Sequence, residues 1–262
     1  MKGRRILLIT TAIAAIAMGA TTAVLYNYYI PPRLRSPFSI THTNYDTLRV
    51  AYIGDSWAAM HNGYDSQLQQ MLEDSLQQPV KVISVGFPGK TSKQIYERLF
   101  DDEILHSLIS QGCHFCFISA GINDTYQKMS SKYYKQSMDG IIQLLLANNI
   151  YPIILEIPDY DIMKAYLRQR FSRRCLRQLS MLITGTEKDC KQTFRETLQD
   201  LIEERNYKDS ILLIEYLSWN NDYLRDQQQL YLGDGMHLNQ DGYNKLDSCI
   251  ARSIITTVRQ AH

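Results

Sequence analysis

Apolar positions follow two patterns along residues 47–262. Short apolar runs bounded by polar or glycine-containing turns are typical of buried strands, and apolar residues every three or four positions are typical of helices. The short runs predict strands at Leu48–Ile53, Val80–Val85, His114–Ser119, Tyr151–Ile157 and Ser210–Tyr216. The longer pattern predicts helices at Ser66–Leu76, Ser92–Leu99, Lys132–Ala147, Thr193–Arg205 and Asp241–Val258.

This alternation of strand and helix predicts an α/β domain. Five strands, each followed by a helix, imply a five-stranded parallel sheet with helices on both faces, a three-layer α/β/α sandwich. Ligands of such sheets bind beyond the carboxyl ends of the strands. We therefore expect the functional residues in the loops that follow the strands.

The N-terminal segment, residues 1–30, has a different pattern. Residues 6–30 carry no charge and follow Lys2, Arg4 and Arg5. A helix of this length spans roughly 37 Å, more than the hydrocarbon core of a bilayer at about 30 Å. Basic residues on the short side predict that the N-terminus stays in the cytoplasm. The sequence thus predicts an anchor in the inner membrane, with the body exported to the periplasmic or cell-surface side.

A cleavable signal peptide is the alternative interpretation of the same segment. Small residues at positions 17, 19, 20 and 23 form a pattern that a signal peptidase can accept. Residues 31–46, which begin with two prolines, then predict a short tether. Residues 47–262 form one predicted domain, with an insertion at about 159–192.

Charge argues against nucleic acid as a partner. The chain holds 28 basic and 27 acidic residues, for a formal net charge of +1. Five of the basic residues lie in the first 35 positions, so the body is mildly acidic. Proteins that bind nucleic acid neutralise phosphates with clustered Lys and Arg, whereas the body carries more acidic than basic residues.

The five cysteines are an odd number for an exported chain, so at least one is free or paired between chains. Cys113 and Cys116 lie in or next to a predicted strand, which favours buried thiols over a redox pair. Cys175 and Cys190 can bridge the insertion.

Candidate chemistry begins directly after the first strand, with Gly54, Asp55 and Ser56. A serine at a strand-to-helix turn lies near free backbone N–H groups, which favour developing negative charge. Trp57 is the neighbouring candidate for a substrate contact. Alone, this tripeptide is also a common turn.

Two further loops offer hydrogen-bond donors to the same place. The loop after the second strand, GFPGKTS, can present the backbone N–H of Gly89, with Gly86 as the alternative donor. The loop after the third strand, GIND, can present the side chain of Asn123. A structural role is the alternative for both loops: helix capping explains GFPGKTS, and an Asx turn explains GIND.

Near the C-terminus, Asp234 and His237 lie three residues apart. This spacing lets the carboxylate orient the imidazole, and such a pair can deprotonate a serine. Glu103 and His106 have the same spacing, but their segment predicts a helix away from the strand ends.

Taken in order, the blocks GDSW, GFPGKTS, GIND and DGMH resemble those of the SGNH (GDSL-type) hydrolases over roughly residues 48–258. The resemblance implies a flavodoxin-like fold, with Ser56 as nucleophile, His237 as general base and Asp234 orienting His237. It also implies an oxyanion hole from the N–H of Ser56, Gly89 and Asn123. Leu238 departs from the family, in which many members have proline.

The insertion carries six basic residues between positions 164 and 177 and no acidic one. A solvated helix face explains such a run. The functional alternative is a rim over the strand ends that attracts an anionic glycan or the membrane surface. Its candidate substrate-binding residues are Arg168, Arg170, Arg173 and Arg174.

The expected function is a serine esterase that needs no cofactor and no metal. Its expected substrates are acyl esters, above all O-acetyl groups on a cell-envelope or capsular polysaccharide, and its expected partners are this acylated glycan and, through the N-terminal segment, the membrane. The alternatives are a polysaccharide O-acyltransferase and a non-catalytic glycan-binding or assembly protein on the same fold. A thioesterase or lipase also fits the same residues.

Overall fold

The computed structural model describes residues 2–40, 46–100 and 108–260. Its sheet consists of β1 (Leu48–Gly54), β2 (Val80–Gly86), β3 (Phe115–Ser119), β4 (Tyr151–Leu155) and β5 (Leu212–Ile214). The strands are parallel and lie in the order β2-β1-β3-β4-β5. This is the flavodoxin-like order, whose switch point lies between β1 and β3.

The helices of the described residues lie between the strands, before β1 and after β5. A 3₁₀ turn, Tyr216–Ser218, follows β5. The α-helices are α1 (Lys2–Tyr29), α2 (Ser56–His61), α3 (Asp65–Leu76), α4 (Ser92–Arg98), α5 (Ile122–Gln127), α6 (Ser131–Ala147), α7 (Ile162–Leu167), α8 (Phe171–Thr184), α9 (Lys191–Glu204), α10 (Tyr223–Leu230) and α11 (Gln240–Gln260).

Helices cover both faces of the sheet. Successive side chains of a strand point to opposite faces, so β1 sends Ala51 and Ile53 to one core and Val50 and Tyr52 to the other. The first core contains buried residues of α4, α6 and α9, and the second contains those of α2, α3 and α11. The predicted three-layer sandwich with five parallel strands is confirmed.

The predicted elements are all present, with ends shifted by at most two residues. The pattern missed the short helices α2 and α5, which begin directly at the predicted functional loops. Six residues make fewer than two helical turns, and this is too short for a repeating apolar pattern to show.

The predicted membrane anchor is not supported. Residues 2–29 do form a helix, α1. Yet within the ranges described here, we find no helix that is both long enough and apolar enough to cross a membrane. Four threonines and a glycine stand among the apolar residues of α1.

The predicted tether, residues 31–46, lies against the domain over residues 31–40. The Arg35 N–H donates to the hydroxyl of Tyr96 at 2.7 Å. The side chain of Asn148 accepts from the Ile40 N–H at 3.0 Å and donates to the Phe38 carbonyl at 2.7 Å. These contacts fix the tether to α4 and to the end of α6. Residues 41–45 lie outside the described ranges.

The cysteines are free. Cys175 is exposed whereas Cys190 is buried, so the bridge considered for the insertion does not form. Cys113 and Cys116 are buried thiols, as the strand pattern predicted. Burial raises the pKa of Cys113 to about 11, which keeps it protonated near neutral pH.

A buried charged cluster ties α2 to its neighbours. His61, the last residue of α2, contacts the Asp247 carboxylate of α11 through Nε2 at 2.9 Å. Its Nδ1 lies 3.0 Å from Asp65 and 2.8 Å from the hydroxyl of Ser84. Burial lowers the pKa of His61, but the hydrogen bonds to Asp247 and Asp65 outweigh it and raise the pKa to about 9. The imidazolium therefore clamps α2 between α3 and α11 at neutral pH.

We expect His61→Asn to remove a fall in stability at alkaline pH. Folding raises the His61 pKa from 6.5 to about 9, so its stabilising contribution is complete below about pH 6.5 and is lost as the pH rises through 9. Urea unfolding between pH 6.5 and 9.5 measures this slope. The variant should be less stable overall and show a flatter slope.

His114→Asn is the matched control. Burial and the nearby Arg49 lower the pKa of His114, so it titrates below this window and its loss should leave the slope intact. A His61→Asn slope as steep as that of the wild type would contradict the charged clamp.

Candidate active site

The nucleophile turn depends on a glycine. A Cβ built at Gly54, the last residue of β1, would lie 2.1 Å from the carbonyl oxygen of Ser119 at the end of β3, so only glycine fits there. The Asp55 N–H donates to that same oxygen at 3.0 Å. Asp55 then caps α2 by accepting from the Trp57 N–H at 3.0 Å. This packing presents Ser56 as the first residue of α2, half-buried at the edge of the sheet.

The structure brings Ser56, His237 and Asp234 together. The Nε2 atom of His237 lies 3.0 Å from Ser56 Oγ, and its Nδ1 lies 2.5 Å from Asp234 Oδ2. Asp234 Oδ1 accepts from the N–H groups of Met236 and His237 at 2.9 and 3.0 Å. Partial burial favours the neutral acid, but these hydrogen bonds hold the Asp234 pKa below its ordinary value. An ionised Asp234 can orient the imidazole and stabilise its charged form.

Trp57 is fully buried and does not reach solvent as the predicted substrate contact would. Its indole N–H donates to the carbonyl of Met236 at 3.2 Å, inside the loop that carries His237. Its own carbonyl accepts from the Tyr243 hydroxyl at 2.9 Å. Trp57 therefore joins the helix that begins with Ser56 to the loop that carries His237.

Asn123 lies in the same cluster of strand ends. Its side-chain amide donates to Asp55 Oδ2 at 3.2 Å, which fixes the amide beside the nucleophile turn. Asp55 is completely buried, and this burial raises its pKa to about 7, although the Trp57 N–H and Ser119 act against the shift. One carboxyl group thus positions both α2 and the predicted oxyanion donor.

The two glycines of the second loop differ in their surroundings. A Cβ at Gly86 would lie 1.8 Å from the backbone nitrogen of Ala59 in α2, so Gly86 serves close packing. Gly89 is exposed, has a φ of +75° and has open space where a Cβ would lie. These surroundings favour Gly89 over Gly86 as the donor to a substrate.

A second buried carboxylate holds this loop in place. Asp124 accepts from the Ser92 N–H at 2.8 Å and from its hydroxyl at 2.5 Å. The carbonyl of Gly89 accepts from the Gln127 side chain at 2.9 Å. The loops after β2 and β3 are therefore fastened to each other next to Ser56.

Of the four candidate arginines, Arg168 contacts the catalytic loop. Its guanidinium donates to the Gly233 carbonyl at 2.9 Å. Arg170 and Arg173 are exposed and Arg174 is partly buried, all three on or next to α8. The Arg168 charge on this insertion thus lies beside the site, whereas Arg170, Arg173 and Arg174 belong to the next helix or its N-cap.

Sequence reasoning missed the residues that support the catalytic loop from outside it. The Tyr223 hydroxyl donates to the Gly235 carbonyl at 2.8 Å and accepts from the Asp161 N–H at 3.0 Å. A lone tyrosine in a polar segment gives no signal for such a role. His61 has no carboxylate three residues away in the sequence, so the spacing seen in Asp234 and His237 does not reveal its two carboxylate partners, Asp65 and Asp247. Glu103 and His106 lie outside the described residues.

A match between the sequence and a protein family identifies the family of this chain. Residues 52–245, about three quarters of the chain, match the family described as the GDSL-like lipase/acylhydrolase family. The chain belongs to the GDSL-like lipase/acylhydrolase family. Membership confirms the resemblance seen in the four blocks and makes the chain an ester-hydrolysing enzyme. No curated protein sequence matches the chain significantly.

Solved structures share the fold at low sequence identity. The lipase/acylhydrolase from Enterococcus faecalis is 18% identical, with a TM-score of 0.56 over 80% of this chain and 96% of that one. The psychrotrophic esterase EstA from Pseudoalteromonas is 16% identical, with a TM-score of 0.54 over 80% and 98%. An acetyl-xylooligosaccharide esterase from Geobacillus is 16% identical, with a TM-score of 0.53 over 79% and 94%.

We expect Asp55→Asn to lower kcat with little change in KM. The new amide would oppose the Asn123 amide, donor against donor, and turn it away from the reacting oxygen. Asn123→Ala gives the upper limit of the expected loss in kcat, because removal of one oxyanion donor costs on the order of 10²–10³ in turnover. Steady-state kinetics on a soluble ester measure both constants.

Asp139→Asn is the control, because Asp139 is also buried and hydrogen-bonded but lies on α6. It should leave kcat unchanged. If Asp55→Asn keeps wild-type kcat, Asp55 does not position Asn123 for catalysis.

Proposed function

We propose that the chain is a serine esterase that removes short acyl groups, above all O-acetyl, from a cell-envelope or capsular polysaccharide. The observation that carries the proposal is the continuous hydrogen-bonded line from Ser56 Oγ through His237 to Asp234, with spacings of 3.0 and 2.5 Å. In this arrangement an imidazole contacts a serine hydroxyl on one side and a carboxylate on the other, as acyl transfer by serine requires.

The reaction follows from these contacts in two steps. His237 takes the proton of Ser56 as Oγ attacks the ester carbonyl, and the N–H groups of Ser56 and Gly89 with the Asn123 amide stabilise the oxyanion. The alcohol leaves with the proton held by His237, and an acyl-serine remains. His237 then takes a proton from a water molecule as the water oxygen attacks the acyl carbonyl. The bond to Ser56 Oγ breaks, Oγ receives the proton from His237, and the carboxylic acid is released.

Two observations support an acetylated polysaccharide as substrate. One structural neighbour is an acetyl-xylooligosaccharide esterase, so the shared fold accommodates ester cleavage on sugars. In addition, Arg168 places a positive charge at the Gly233 carbonyl beside the catalytic loop, which suits an anionic polymer.

Acetate release tests the proposal. We expect the wild-type protein to release acetate from acetylated xylan and to prefer p-nitrophenyl acetate over longer p-nitrophenyl esters. Ser56→Ala should lose at least about 10³-fold in kcat, because the nucleophile is gone. The exposed Ser248 on α11 offers a matched control, and Ser248→Ala should keep wild-type rates.

Three outcomes would contradict the proposal. Wild-type rates in Ser56→Ala would remove the nucleophile assignment. Acetyl transfer to a sugar hydroxyl in place of water would make the protein an O-acyltransferase. Binding of glycan by wild type and Ser56→Ala alike, with neither active on any ester, would favour the non-catalytic alternative.

We further propose that the protein is exported and that residues near its N-terminus are removed. The basic-flanked uncharged run supports export. Described side chains from residue 9 to residue 22 are all exposed, whereas Leu25, Tyr28 and Tyr29 pack against the body. Cleavage near Thr21 or Val24 would therefore keep the packed end of α1.

N-terminal sequencing of the protein isolated from its native cells tests export. We expect a mature chain that begins between residues 21 and 25, outside the cytoplasmic fraction. An intact chain recovered from the cytoplasm would contradict it.

A further inference from the structure

Helix α8 is amphipathic, but its apolar side faces away from the protein. Its exposed residues include five large apolar side chains, at Phe171, Leu176, Leu179, Leu182 and Ile183. Its buried residues are instead polar, Arg177 and Ser180. A surface helix of a soluble domain has the opposite orientation, with its apolar side on the core. The apolar side of α8 therefore needs a partner that the described residues do not supply.

Specific polar contacts fix this orientation. The Arg177 guanidinium lies 5.5 Å from the centre of the Tyr126 ring. Ser180 is hydrogen-bonded to the hydroxyl of Tyr29, and the Thr184 hydroxyl donates to the Lys128 carbonyl at 2.9 Å. Turning α8 to bury its leucines would break all three contacts and expose their partners. The fold itself therefore holds the apolar side of α8 toward the solvent.

The apolar surface continues beyond α8. A groove of about 490 Å³ separates α8 from the end of α1, and it is lined by Leu25, Tyr26, Leu179 and Ile183 among others. Leu167, at the end of the preceding helix α7, is exposed as well. Soluble proteins rarely leave large contiguous apolar surface in water, and such surfaces mark binding to proteins or membranes.

The charge around this surface selects among partners. Residues 162–186 contain six basic residues and no acidic one, and Arg170 and Arg173 are exposed. Two copies of this surface would repel each other if they packed face to face. A hydrated polysaccharide would pair with the arginines but would leave the exposed leucines in water. An anionic bilayer suits both the arginines and the leucines, because its headgroups pair with arginine while its acyl chains surround the leucines.

We propose that α7 and α8 form a docking surface for anionic lipid bilayers, with α8 lying in the plane of the headgroups. Bound in this way, α8 buries its apolar side in the membrane boundary without spanning the bilayer. Arg168, between the two helices, contacts Gly233 of the catalytic loop. Docking therefore holds the candidate active site close to the membrane surface, and this binding does not depend on the esterase activity.

A fluorescent probe on Cys175 reports on α8 alone. Cys175 is exposed on α8, and in a Cys249→Ser background the remaining cysteines are buried. A polarity-sensitive dye on Cys175 of the full chain should shift its emission to shorter wavelength when vesicles of phosphatidylcholine and phosphatidylglycerol are added. Pure phosphatidylcholine vesicles should give a weaker response, and added salt should reduce the anionic response.

Two variants separate the apolar and the electrostatic contributions. Leu182→Ser with Ile183→Ser removes side chains that are 83% and 50% exposed, and it should weaken vesicle binding about tenfold. Leu224→Ser with Leu217→Ser is the matched control, at 79% and 53% exposure outside the docking surface, and it should not weaken binding. Arg170→Gln with Arg173→Gln should weaken binding to anionic vesicles by roughly 25-fold. Equal thermal unfolding midpoints would confirm that the variants fold.

Other results would overturn the proposal. A probe that does not respond to anionic vesicles, or that responds equally in Leu182→Ser with Ile183→Ser, would show that α8 does not enter the bilayer. A shift that grows with protein concentration in the absence of lipid would mean that a second copy covers the surface. A shift produced by an anionic polysaccharide alone would identify a glycan surface instead.

Discussion

The geometry of the candidate active site depends on the burial of Trp57. Ser56 and His237 lie 181 residues apart in the sequence, and their side chains must meet at hydrogen-bond distance. Trp57 follows the nucleophile, packs edge-on against Trp219 with ring centres 5.8 Å apart, and donates its indole N–H to the loop of His237. A large rigid side chain fixed in this way leaves the two elements little freedom to separate. The position of His237 is thus set by core packing.

Two buried carboxyl groups organise the rest of the site. Burying a carboxylate is costly unless hydrogen bonds compensate. Asp55 accepts from α2 and from Asn123, and Asp124 accepts twice from Ser92 at the end of the Gly89 loop. Burial raises the pKa of Asp124 to about 6, as it does for Asp55 to about 7. The loops after β1, β2 and β3 are therefore joined where the strand order reverses.

The layers and the strands could be predicted because apolar periodicity leaves a local trace in the sequence. The meeting of Ser56, Asp234 and His237 could be predicted because Ser56 follows a strand closely and Asp234 lies three residues before His237. Trp57 shows the limit of this reasoning, because an aromatic residue beside a nucleophile looks the same whether it lines the site or supports it. His61 and Asp247 are 186 residues apart and form one pair only in the fold. For α8, the sequence shows the arginines and leucines but not which side faces the protein, since that depends on contacts with Tyr29 and Tyr126.

The central claim, that the fold activates Ser56 through His237, is tested most directly by covalent labelling. The native protein would be treated with a fluorophosphonate ester, digested and analysed by mass spectrometry to locate the adduct. The account predicts a single rapid adduct on Ser56, and a labelling rate that collapses in His237→Ala. An adduct on another residue, or equal labelling of Ser56 in wild type and His237→Ala, would contradict it.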